Sequence, residues 1–189
     1  ASAGGTTSNT DSETADATQI FDPPFGIKVF DDSGLPLLQW TMIWINDSND
    51  PAMEAEVYDP IPVGTSYSAT GASSGYAVPG GAPAGSTNIG VSCTTQSGSL
   101  TTTTLCYYEG PTVTNPSGQI IWTGTLGPDS GATDAGSADH ELNITFRVNV
   151  LCGIDTVENN ASIEADLNGD DLITEDDGEF VVDIVQEVW

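Results

Sequence analysis

Basic residues are nearly missing from this sequence: Lys28 and Arg147 face 28 Asp and Glu, for a formal net charge of −26 over 189 residues. A field of that sign repels nucleic acid and anionic membrane surfaces, so both are excluded as partners. It attracts divalent cations instead, and the self-repulsion calls for salt, bound metal or both. No apolar run approaches the roughly 18 residues that a membrane-spanning helix needs. One histidine, His140, and three cysteines with no Cys-x-x-Cys pair give zinc no ligand set. His140 also has no serine in a Gly-x-Ser-x-Gly turn to activate, and acids are too widespread for one carboxylate pair to stand out. The chain therefore reads as non-catalytic. A charged n-region followed by an apolar h-region is lacking too, and the Ala1-Ser-Ala-Gly-Gly start reads as the mature side of a cleaved precursor.

What is present is turn and strand chemistry. Residues 1–19 contain almost nothing to bury and read as an extended N-terminal arm, too polar to order itself. From residue 20 to 189 the pattern is that of one β domain. Phe25 to Phe30 is strand-like and stops at Asp31-Asp-Ser-Gly34; Leu37 to Ile45 is rich in β-branched and aromatic residues. Met53 to Tyr58 alternates, with one acidic face. Short strands are expected near 65–69, 88–94 and 103–109, then at 119–123, 142–150, 160–165 and 179–185. Leu142 to Val150 alternates most cleanly. No stretch sustains a helical period. About ten short strands with turns between them predict an antiparallel β-sandwich. Trp40 and Trp44 share one strand face and are expected in the core, whereas Trp189 lies past the last strand as a candidate interface anchor.

Cys93 and Cys106 bracket a Ser/Thr/Gly-rich stretch that reads as a hairpin arm, so a disulfide between them is expected in an oxidising compartment. Cys152 is left over. Asp166, Asn168, Asp170, Leu172 (through its carbonyl), Thr174 and Asp177 follow the spacing of a calcium loop, with Asp171 where glycine is usual. Structural Ca²⁺ is the expected cofactor. Asn46, Asn143 and Asn160 are glycosylation sequons, and Asn46 in its turn is the best placed; Asn115-Pro-Ser is excluded by its proline.

The segments Gly34–Tyr67, Ile120–Val150 and Val157–Asp170 together resemble the conserved-repeat domain of bacterial and archaeal surface proteins. The match runs from a strand ending in Asn46 through Val57–Thr65 and Gly124–Pro128 to Leu142–Val150 and Asn160–Ser162. Asp129 stands where that pattern has glycine. The resemblance implies an immunoglobulin-like sandwich in secreted or filamentous surface proteins, without enzymatic activity. By analogy with pilin-type sandwiches, Lys28, Asn160 and Asp59 would form an isopeptide cross-link; the residues themselves favour Lys28 on a solvent face, paired with an acid. The polar arm suggests strand donation to another copy of the chain, assembling an extracellular filament head-to-tail. The alternative is an adhesin or carbohydrate-binding module of a larger cell-surface protein.

Overall fold

The computed structural model describes residues 24–48, 51–95, 105–128, 140–166 and 184–188. They form ten strands: β1 (Phe25–Asp31), β2 (Leu37–Ile45), β3 (Ala52–Pro60), β4 (Thr65–Tyr67), β5 (Val91–Thr95), β6 (Leu105–Glu109), β7 (Gln119–Leu126), β8 (Glu141–Val150), β9 (Val157–Asp166) and β10 (Ile184–Val188). All pairings are antiparallel. The first sheet runs β1-β2-β8-β4, with β5 also on β8, and the second runs β10-β9-β3-β7-β6. The chain is an immunoglobulin-like β-sandwich, as the alternation and turn spacing predict.

The core lies between the sheets and is built by period-two strands. On β2, Leu38, Trp40, Met42 and Trp44 point inward; on β8, Leu142, Ile144, Phe146 and Val148 do the same. Val57 of β3, Ile120 and Trp122 of β7, and Ile163 of β9 meet them from the second sheet. Burying each such side chain contributes roughly 1.5–3 kcal/mol, so the registered pair β2–β8 fixes the body of the domain. A bulge between Ala52 and Ala55, where Glu54 takes φ 45°, rephases β3. After it, Ala55, Val57 and Asp59 all face inward.

Asn46 departs from its expected exposed turn. It is fully buried, and its amide donates to the carbonyls of Leu126 at 3.3 Å and Gly127 at 3.0 Å while its oxygen accepts from Ser48 N at 3.1 Å. A side chain spent on clamping the end of β2 to the end of β7 has no room for a glycan. Asn143 is half-buried with its amide on Glu141, and Asn160 is exposed. We predict that Asn46→Ala costs about 1–3 kcal/mol, because two buried carbonyls lose their donor. A urea denaturation midpoint unchanged from the parent would contradict this role.

Candidate functional site

Charge is scarce inside this sandwich, and where it occurs it is concentrated. Lys28 projects inward from the edge strand β1, and its Nζ lies 2.7 Å from Asp59 Oδ2 on β3, across the gap between the sheets. Both side chains are fully buried. The expectation that Lys28 sits on a solvent face is thus overturned, although its acid partner is present. The cause is an inverted strand: Phe25, Ile27 and Val29 face outward at 40–47% exposure, leaving Lys28 in the inward phase. Trp40 covers the ammonium, with its ring centroid 5.5 Å from Nζ.

Asn159 completes the cluster. It is 1% exposed on β9, the strand beside β3. Its side chain helps to hold the Asp59 carboxyl down, so the two groups are close. Yet neither polar atom of the Asn159 amide makes a hydrogen bond of normal geometry, and Asp59 Oδ1 makes none either. Buried polar atoms left this way are expensive, on the order of 1–3 kcal/mol each, and rarely occur without a reason. The sequence reading named the neighbouring Asn160, which is exposed and points away. Strand parity separates the two: Val157, Asn159, Ala161 and Ile163 share the core-facing phase of β9, and Asn160 lies in the other.

Burial shifts both members of the pair towards their uncharged forms. Burial pushes the Asp59 carboxyl up to about 6, against the opposing pull of Lys28 and Asn159. Burial likewise pushes the Lys28 ammonium down, with Asp59 resisting. Both shifts bring a neutral amine and a protonated carboxyl nearer, beside an amide that lacks hydrogen-bond partners. That is the chemistry of a nucleophile, a proton carrier and an electrophile in a buried site.

At the far edge, Cys93 and Cys106 form a disulfide with Cα atoms 6.3 Å apart. Among the described residues, β5 and β6 do not pair with each other as the strands of a hairpin. Cys93 lies on β5, paired to β8 in the first sheet, and Cys106 on β6, paired to β7 in the second. The disulfide therefore ties sheet to sheet. Cys152 is exposed and free. Of the proposed calcium ligands, Asp166 is buried at the end of β9, whereas Asn168, Asp170, Leu172, Thr174 and Asp177 lie outside the described residues. So do the arm, residues 1–19, and Trp189.

No family model matches the chain, and no curated protein does. Several solved structures similar in overall arrangement come from bacterial surface proteins. A collagen-binding domain from a Staphylococcus aureus adhesin matches at 12% identity and TM-score 0.45, over 90% of this chain and 98% of that one. The collagen-binding subdomain of the Enterococcus faecalis surface protein ACE matches at 12% identity and TM-score 0.44, over 88% and 95%. The collagen-binding domain of the Erysipelothrix rhusiopathiae surface protein RspB matches at 15% identity and TM-score 0.42, over 89% and 46%.

Removing the disulfide by Cys93→Ser with Cys106→Ser should lower stability by about 3 kcal/mol, since the closed loop is short. Denaturant titration under non-reducing conditions measures it; a loss near zero would mean that the bond adds nothing to holding the sheets together.

Proposed function

We propose that this chain is a structural module of an extracellular, cell-surface protein, whose two sheets are locked by a self-formed amide between Lys28 and Asn159. The observation that carries the reading is the buried, under-bonded cluster of Lys28, Asp59 and Asn159. The proton of the Lys28 ammonium passes to Asp59, leaving a neutral amine. Lys28 Nζ attacks Asn159 Cγ, the Cγ–Nδ2 bond breaks, and the amide nitrogen leaves as ammonia with protons returned through Asp59. No oxidant, metal or cofactor enters the balance. The reaction turns over once, so it makes a durable module rather than an enzyme. The Cys93–Cys106 disulfide supports an oxidising, extracellular setting.

An intact-mass measurement tests this directly. The chain should weigh one ammonia less than its sequence, and Lys28→Met and Asp59→Ala should each restore the full mass. Asn159→Ala should also lower stability by about 5 kcal/mol if loop-closure reasoning for cross-links applies. A parent chain at full sequence mass would refute the amide.

A second reading, polymerisation by strand addition, is favoured by one observation. Strand β1 is an edge of the first sheet among the described residues, and its outward row Phe25, Ile27 and Val29 is apolar, flanked on β2 by Ile43 and Ile45. Such an edge suits an added strand, with backbone bonds supplying affinity. The arm of another copy is the proposed donor, and calcium on the loop beginning at Asp166 would offset part of the charge. Negative-stain images of the full chain with and without calcium should show fibres in at least one condition. Separate particles in both would leave the cross-linked module as a non-polymerising surface domain.

A further inference from the structure

With Lys28 buried against Asp59, Arg147 is the one cationic side chain that the molecule offers to solvent. It stands half-buried on the outer face of the first sheet, on β8. Despite 28 acids in the sequence, no described carboxylate lies in ion-pair contact with it. Its Nε donates to Gln39 Oε1 at 3.0 Å, which fixes the guanidinium plane. Asp31, which feels its charge, is occupied by the backbone N–H of Ser33 at 2.9 Å. No described carboxylate binds the guanidinium directly, so its remaining N–H groups can take one from elsewhere.

The backbone builds a groove around it. On one side β8 is paired with β4 as far as Tyr67 opposite Val148, and with β5 from Val91 opposite Phe146. Residues 68–90 leave and return opposite Arg147, and Ser68 N donates to the Arg147 carbonyl at 2.9 Å. Gly90, at φ +88°, permits the return: a Cβ there would lie 2.8 Å from the Ser68 carbonyl oxygen. Residues 70–73 then wall a groove of about 200 Å³, lined by Gln39, Thr70, Ser73, Ser92, Thr145 and Arg147.

We propose that this groove binds a single carboxylated sugar at the end of an otherwise neutral glycan, whose one charge meets far less of the −26 field than a polyanion would. A guanidinium fork takes a carboxylate through two parallel bonds. Four hydroxyls lie around it; those of Thr70, Ser73 and Thr145 each already share one hydrogen bond within the protein, and each keeps capacity for another, which suits the hydroxyls of a sugar ring. The volume suits a single residue-sized group. An acidic side chain of a second copy offers the same carboxylate, but it brings a body of charge −26 against another of the same sign.

Calorimetric titration with glucuronic acid, N-acetylneuraminic acid, glucose and acetate tests the proposal. One of the two acidic sugars should saturate, with glucose and acetate each weaker by roughly tenfold or more, as expected when a charged hydrogen bond or the ring contacts are lost. Arg147→Gln should lose that binding by a similar factor while keeping the parent's mass and melting temperature. No saturation by either acidic sugar, or acetate binding as tightly as both, would overturn the proposal. Self-association of the chain that Arg147→Gln abolishes would assign the arginine to another copy and overturn it as well. None of these results depends on whether the Lys28–Asn159 amide forms.

Discussion

A buried lysine–aspartate pair spanning the gap between two sheets is the constraint around which this sandwich is arranged. An ammonium and a carboxylate taken out of water lose several kcal/mol of hydration each, and removing one partner alone costs about 3–5 kcal/mol. The fold accepts this at the β1 edge and turns the strand over to do so. Apolar Phe25, Ile27 and Val29 are left in solvent so that Lys28 can reach Asp59. Phe30 in the same phase packs edge-on against Trp40, so the inversion brings one aromatic ring inward along with the charge. The proposed amide would give the buried charge a reason, since it removes both the lysine charge and the unbonded Asn159 carboxamide.

The cluster and the disulfide stand at opposite edges of the sandwich. Lys28 reaches Asp59 from β1, the end strand of the first sheet among the described residues, whereas Cys93 and Cys106 join β5 to β6. Between them the core is held by dispersion and hydrophobic burial, which yield gradually under load or heat. The disulfide holds the sheets together at one edge, and the proposed amide would do the same at the other. A domain whose self-repulsion is set by a charge of −26 gains most from such ties, because electrostatics works against compactness throughout.

Much of the fold was legible in the sequence because period-two alternation reports it directly. Leu142 to Val150 and Leu37 to Ile45 form strands with inward tryptophans, as their patterns imply. The site was harder to read. On β1 the apolar row faces outward, so the usual rule placed Lys28 on the wrong face. On β9 the same rule, applied to Val157, Ala161 and Ile163, selects Asn159, whereas the analogy with pilin-type sandwiches pointed to Asn160. The cysteine pair was visible from composition, but its reach between sheets was not, since nearby cysteines around a loop look like hairpin partners. Asn46 looked exposed because it ends a strand; the two carbonyls that bury it lie 80 and 81 residues away.

Stretching single molecules tests the central claim most directly. Held by its ends under non-reducing conditions, the chain should lengthen on unfolding only by the residues outside 28–159, because the amide keeps that whole loop closed. Asp59→Ala should release most of the loop, leaving only the segment within the disulfide hidden. If the parent chain gains all but the disulfide-closed segment at low force, no covalent tie joins β1 to β9, and the account fails.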